Sequence, residues 1–362
     1  MKVLKKLAFT GITLTIAFSL LETAVRITNY DQQWMEALYA QGGPLTRIQI
    51  PDSYLLWRNA PRARYGFPPR RLNARGYRGP QAVVPKDPGV IRIAVLGDSC
   101  TFGIVQADEK SFRTPTPYPE RLQTNLSRSL PRFKFEVLNY GVIGYTSYQG
   151  LRLLRREVLE DKPDFVVIRF GWNDHLMSSY ARSFSNPTNT FSEAFESLLY
   201  RSRLTAMLLF PRTPKNVMKA ATRSLGEGPV VWVRPEDYAR NLVRMIELAR
   251  KNGVVPILLD APAAPIGPEL LSVGRFPALA GYGSFERLVE VHTAYQKITE
   301  RVAGEERVPF VETAVTYMAG KSGPLFSPYD IAHPDDAGHA LIARRLYVEI
   351  AVQVTRMNAS SE

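Results

Sequence analysis

Apolar positions along the chain follow two patterns. From Leu7 to Leu21 they form one almost unbroken stretch. Lys2, Lys5 and Lys6 precede it, Ala24, Val25 and Ile27 prolong it, and Glu22 and Arg26 lie at its far end. Beyond residue 90, short apolar, β-branched runs alternate with longer amphipathic ones. Runs of the first kind predict buried strands near 91–96, 134–138, 164–170, 254–260 and 308–312. Those of the second kind predict helices near 117–130, 147–160, 236–252, 284–303 and 335–354. Strictly alternating strands and helices imply a parallel sheet covered on both faces. The nearly all-apolar run VVPILLD at 254–260 suits a strand buried on both sides. Pro334, followed by Asp335 and Asp336, marks the start of the last helix.

The N-terminal stretch is close to the length that spans a bilayer, and no convincing small-residue cleavage site follows it. Residues 1–29 are therefore expected to be an uncleaved membrane anchor, with a cleaved signal peptide as the alternative. Three lysines ahead of the apolar run place it with the lysines cytoplasmic and the remainder outside the cytoplasm. Residues 30–89 form a basic, Pro- and Arg-rich linker or strap, with seven arginines and no acid from Arg58 to Arg78. Anionic lipid headgroups are one partner for such a segment, and a solvated strap lying on the following domain is the other reading. The net charge of +12 alone would also suit nucleic acid. No recognised nucleic-acid module accompanies it, and no nucleic-acid partner is expected. With 362 residues, 45% hydrophobic and 22% charged, the chain can build one large core plus additions. Cys100 is the only cysteine, so no intramolecular disulfide forms.

The run IRIAVL at 91–96 ends in Gly97-Asp98-Ser99. A serine at the carboxyl end of such a strand lies where open α/β sheets do chemistry. A serine hydroxyl becomes a nucleophile when a base takes its proton, usually a histidine held in one tautomer by a carboxylate. Of four histidines, one stands in Asp330-Ile-Ala-His333. That spacing in a loop lets the carboxylate reach Nδ1 and leaves Nε2 free to face Ser99. Acyl transfer also needs donors for a developing oxyanion. Two segments that follow strand-like runs can supply them: Asn139–Ser147, with two glycines, and Gly171-Trp-Asn173-Asp174. Cys100, next to Ser99, is expected to be a small buried residue rather than a nucleophile.

These four segments, in this order, resemble the SGNH (GDSL-type) hydrolase superfamily over roughly residues 90–352. The Ser block is Gly97-Asp98-Ser99, the Gly block Gly144-Tyr-Thr-Ser147, the Asn block Gly171-Trp-Asn173-Asp174 and the His block Asp330-Ile-Ala-His333. Tyr145 departs from the family, in which many members carry Asp, and Gly141 stays a rival to Gly144. The resemblance implies a flavodoxin-like three-layer αβα sandwich and hydrolysis of ester or related acyl bonds without metal or organic cofactor. It further implies Ser99, His333 and Asp330 as catalytic residues, and Ser99, Gly144 and Asn173 as the oxyanion hole. The domain is expected to cover 90–355, with an insertion at 175–235 that breaks the strand–helix alternation. That insertion carries Leu204, Met207, Leu208, Leu209 and Phe210, which suit an apolar lid or a small helical hairpin.

No G-x-G-x-x-G follows a strand, and neither a P-loop nor H-E-x-x-H occurs. The nucleophile motif is not G-x-S-x-G, which argues against the standard α/β-hydrolase arrangement. The leading expectation is an envelope-anchored serine esterase acting on an acylated small molecule, lipid or glycan. An O-acyltransferase using the same residues on envelope glycans, and a catalytically silent envelope binding protein, are the alternatives.

Overall fold

The computed structural model describes residues 2–31, 33–34, 48–52, 54–66, 68–108, 111–176, 190–209, 231–263, 282–313, 325–327 and 329–359. Two compact units divide the chain. One comprises residues 1–58 and 186–220, the other 59–185 and 221–362.

In the first unit, helix α1 (Lys2–Thr28) is continuous. Its segment Lys5–Thr28 is long and apolar enough to cross a membrane, with a mean hydropathy of 1.6. Leu7, Phe9, Ile12, Leu14, Ile16, Phe18, Leu20 and Leu21 are all exposed on it. The insertion's helices Thr190–Leu199 and Arg203–Leu209 belong to this unit. The second of them meets the end of α1: the Glu22 carboxylate accepts from the backbone N–H groups of Arg203 and Leu204 at 3.0 and 2.8 Å and from the Ser202 hydroxyl at 2.8 Å. Leu204 is buried there. Residues 177–189 and 210–230 of the expected insertion, Phe210 among them, lie outside the described residues.

In the second unit five parallel strands form one sheet: β1 (Val90–Gly97), β2 (Lys134–Gly141), β3 (Phe165–Arg169), β4 (Val255–Leu259) and β5 (Phe310–Val311). Their spatial order is β5-β4-β3-β1-β2, an open parallel sheet with β1 beside the crossover. Register pairs Gly97 at the end of β1 with Gly141 of β2 and with Arg169 of β3. Three strands thus finish level with one another, and the segments after them share one edge. Strand side chains alternate between faces. Ile93, Val95, Phe165, Val167, Ile257 and Leu259 are buried against helices α3 (Tyr118–Ser129) and α7 (Asp336–Ala359), with Leu122, Leu126, Ile342, Leu346 and Ile350. Ala94, Leu96, Val166 and Ile168, one position out of step, are buried as well. The second layer comes from α4 (Ser147–Leu153), α5 (Pro235–Lys251) and α6 (Phe285–Glu305). This is the parallel sheet covered on both faces that the alternation implies, and the three-layer αβα sandwich that the resemblance implies.

Two local differences from the sequence pattern occur. The helix expected over 147–160 is α-helical only to Leu153, widens into a π turn over Leu154–Val158 and tightens into a 3₁₀ turn over Leu159–Asp161. The widened turn lets Glu157 and Asp161 both face Arg75, at 3.3 and 2.6 Å. Strand β5 is two residues long, at the sheet edge, because Pro309 has no N–H to continue a ladder.

From residue 59 on, the basic segment preceding the sheet belongs to this unit. Arg78, with no exposed surface, donates to the carbonyls of Phe102, Gly103 and Pro115 at 2.7–3.0 Å and to Glu120 at 3.0 Å. Lys86 reaches Asp164 at 2.6 Å. Arg62, Arg64, Arg70 and Arg71 stay exposed on the short hairpin of Arg64–Tyr65 with Arg70–Arg71.

Candidate active site

Ser99 opens α2 (Ser99–Phe102), a single turn that leaves the end of β1. Asp98 is its N-cap, accepting the Cys100 N–H at 2.9 Å. Glycines are required on either side of this turn by packing. A Cβ at Gly97 would lie 2.8 Å from the Arg169 carbonyl oxygen, and one at Gly141 would lie 2.7 Å from the Phe102 Cα. The turn is thereby pressed onto the ends of β3 and β2, with 7% of Ser99 exposed.

His333 meets Ser99 from a loop just before α7. Its Nε2 lies 2.8 Å from the Ser99 Oγ. Nδ1 lies 2.8 and 2.9 Å from the two Asp330 carboxylate oxygens. Asp330 is itself fixed by backbone donors: Ala332 and His333 N–H on Oδ1 at 3.0 Å, and Gln106 N–H on Oδ2 at 2.9 Å. With Nδ1–H donated to the carboxylate, Nε2 is left as the acceptor of the serine proton. Asp335 caps α7 through the Ala337 and Gly338 N–H groups, which ends the loop two residues after His333.

Burial by itself would push the His333 imidazole down, but the facing Asp330 carboxylate outweighs it, so the pKa is raised above 6.5. Burial would push Asp330 up, and it is instead held below 3.8 by His333 and by the backbone donors. Cys100 is buried, its thiol donates to the Ala332 carbonyl at 3.3 Å, and burial pushes its pKa far up. A thiol held protonated is a poor nucleophile.

The Gly and Asn segments sit after β2 and β3. Gly144 has a left-handed φ of 79° and lies within a turn closed by Tyr145 N–H on the Val142 carbonyl. The Gly144 and Ser99 N–H groups have no partner among the described residues. Gly141 differs: its N–H donates to the Asn139 side chain at 2.8 Å. The Asn173 side-chain amide donates one hydrogen to the Tyr145 carbonyl at 2.9 Å. This bond ties the Asn segment to the Gly segment and leaves a second amide hydrogen.

Behind these donors is a buried support. The Asp174 carboxylate accepts from the backbone N–H groups of Ser147 at 2.9 Å and Gly171 at 3.1 Å and from the Ser147 hydroxyl. Asn241 of α5 donates to that hydroxyl at 3.0 Å. Burial pushes Asp174 up to about 7 against those donors. Trp172 stacks on His292 with ring centroids 4.0 Å apart. His292 Nε2 lies 2.7 Å from the Ala261 carbonyl, so its Nδ1, 2.9 Å from His175 Nε2, is the acceptor of that pair. Burial keeps both rings neutral, with His292 at about 3.

Sequence reasoning did not single out Arg169, Gln106, Asn241 or the His175–His292 pair. Arg169 carried a signal, the one charge within the run FVVIRF at 165–170. The others had none, because each acts through a contact between segments far apart in the chain. Among the described residues no group of three or more His, Cys, Asp or Glu side chains could hold a metal ion.

A level edge of a parallel sheet carrying a serine, a histidine and an aspartate in hydrogen-bonded series defines a class of α/β hydrolytic enzyme. Residues 95–341 match the GDSL-like Lipase/Acylhydrolase family, and the chain belongs to it. It is an SGNH-type, ester-hydrolysing enzyme. The uncharacterized lipoprotein YqeF of Bacillus subtilis (strain 168) is 23% identical over 235 residues, 64% of this chain and 74% of that one. Among solved structures, the acetylxylan esterase Axe2 from Geobacillus stearothermophilus is 19% identical, covering 72% of this chain and 94% of that one with a TM-score of 0.43. A lipase/acylhydrolase from Enterococcus faecalis is 20% identical over 73% and 96%, also with a TM-score of 0.43.

Proposed function

We propose that the protein is a membrane-anchored serine esterase working from the extracytoplasmic side, with Ser99 as nucleophile. The observation that carries this reading is the series Ser99 Oγ–His333 Nε2–Asp330, with both links at 2.8 Å. Ser99 Oγ attacks the acyl carbonyl while its proton passes to His333 Nε2. The imidazolium is stabilised by Asp330. The negative charge on the former carbonyl oxygen is met by the N–H groups of Ser99 and Gly144 and by the free Asn173 amide hydrogen. The unpartnered N–H of Gly144, against the engaged N–H of Gly141, supports Gly144 as the donor. His333 then returns the proton to the leaving alkoxide, and water repeats the sequence on the acyl-enzyme. Helix α1 would hold the enzyme at the membrane, supported by its exposed apolar surface and the lysines before it.

The test is labelling of the full chain by a fluorophosphonate probe, read beside hydrolysis of p-nitrophenyl acetate. Ser99→Ala loses both, by several orders of magnitude in rate, and keeps the wild-type melting transition. Cys100→Ala keeps most of both. Labelling that persists in Ser99→Ala, or vanishes in Cys100→Ala, refutes the assignment of the nucleophile. Measuring how the acyl group divides between water and an added glycan separates hydrolysis from acyl transfer.

A further inference from the structure

Arg169 is fully buried at the end of β3, in a strand whose other residues are all apolar. It lies on the sheet face that packs under α3 and α7, two and four positions from Val167 and Phe165. An unpaired cation there would be strongly disfavoured. Its counter-charge is Asp98, equally buried, with Nη1 3.4 Å from Oδ1. That same oxygen accepts the Cys100 N–H and so caps the helix that begins with Ser99. The Arg169 Nε and Nη2 and the Asp98 Oδ2 have no partner among the described residues. The guanidinium and carboxylate are therefore committed mainly to each other. We infer that the Asp98–Arg169 pair is a positioning device for the nucleophile: Arg169 holds the Asp98 carboxylate in place beneath the turn, and Asp98 in turn aims Ser99 at His333. This deepens, and rests on, the serine-esterase reading.

The pair also shapes the electrostatics of the base. Groups facing Arg169 are Asp98 and Cys100 at the nucleophile turn, Tyr118 at the start of α3, Tyr238 in α5, His292 in α6, His339 in α7, and His333. His339 is held neutral by burial and by the guanidinium, and Tyr118 and Cys100 are held protonated by burial. Two charged partners thus act on His333 besides Asp330. Asp98 favours its protonated form and Arg169 opposes it. The two act in opposite directions, each smaller than the effect of Asp330.

The experiment is the pH profile of kcat/KM for three variants of the full chain, with melting curves in parallel. Asp98→Asn keeps a good helix cap but leaves Arg169 uncompensated, so the acid limb moves to lower pH. The double variant Asp98→Asn/Arg169→Met removes both charges and brings the limb back toward the wild-type position. Its kcat stays down by about 10- to 10²-fold with KM within about twofold, because Ser99 is no longer aimed. Arg169→Lys keeps the charge but not the reach. Its limb stays in place while kcat falls, and this variant decides the case if Asp98→Asn does not fold. An unmoved limb in Asp98→Asn, a limb in the double variant displaced as far as in Asp98→Asn, or wild-type kcat in Arg169→Lys each overturns the inference. Those results would leave the esterase reading standing, since that reading falls only if Ser99→Ala stays active.

Discussion

Asp330→Asn removes one charge and about one atom's worth of acceptor, and the structure specifies the consequence. Both carboxylate oxygens face only donors: Ala332 N–H, His333 N–H and Nδ1–H on one, Gln106 N–H and Nδ1–H on the other. An amide NH₂ has to replace one of those oxygens. If it turns toward Gln106, a buried N–H is left facing another donor. If it turns toward Ala332 and His333, two are. Leaving one buried donor unsatisfied costs about 1–3 kcal/mol, which lowers the melting temperature by several degrees, at about 2–4 °C per kcal/mol for a domain of this size. The larger effect is on the imidazole. An amide NH₂ beside Nδ1 favours the tautomer with the proton on Nε2, which cannot accept the Ser99 proton. Loss of about 10⁴-fold in kcat is the expected scale for such a tautomer change in a serine triad.

The pH dependence gives a second, independent readout. In the proposed mechanism His333 serves as base only when neutral, and its pKa is raised above 6.5 mainly because the Asp330 carboxylate overcomes burial. Wild-type activity is therefore lost as pH falls through that raised value. In Asp330→Asn the residual activity extends to lower pH, because the largest influence opposing burial is gone. Stability runs the other way. A raised His333 contributes stability fully below its unfolded value of 6.5, and that contribution disappears as pH rises. A lowered Asp330 contributes above 3.8 and loses it on acidification. The pair thus stabilises the unit most between 3.8 and 6.5, where the enzyme is least active. Melting curves from pH 4 to 9 should show the wild-type advantage over Asp330→Asn shrinking as pH rises. A variant within tenfold of wild type in kcat, or one with an unmoved acid limb, refutes the role given to Asp330.

Two further outcomes follow from the site and from α1. Asn173→Ala should reduce kcat by roughly 10²–10³ with little change in KM, as for loss of one oxyanion donor; steady-state kinetics showing a KM effect alone would make Asn173 a substrate-binding residue. The full chain should resist alkaline carbonate extraction from membranes and keep Met1 or Lys2 at its start, and carbonate release with a mature start near residue 20–30 would replace the anchor with a cleaved signal.

What could be read from the chain alone depended on how local the determining physics is. Strands β1, β3 and β4 were legible because a strand covered on both faces is mostly apolar, and the run declares itself within six or seven residues; β2, at the sheet edge, carries Lys134 and Glu136 and was legible from the apolar residues between and after them. Asp330 and His333 were legible for the same reason, since a carboxylate three residues before a histidine reaches its ring within one loop. The Gly segment was only half legible. Gly141 and Gly144 look alike in sequence, and what separates them is the Asn139 side chain that engages one N–H and the Phe102 backbone that crowds the same glycine. The support for Asn173 was not legible at all. His175 meets His292 across 117 residues, and Ser147 meets Asn241 across 94. Neither partner carries a pattern that names the other. Arg169 is the intermediate case and the most instructive one. A charge in a doubly covered strand conflicts with the rule that makes the strand recognisable, so the residue announces that a partner exists without saying which. Only the register that sets Arg169 beside Gly97, one residue before Asp98, supplies the partner. Conflicts of this kind between a residue and its local pattern concentrate where function imposes them. For this enzyme the conflict lies directly beneath Ser99, the proposed nucleophile.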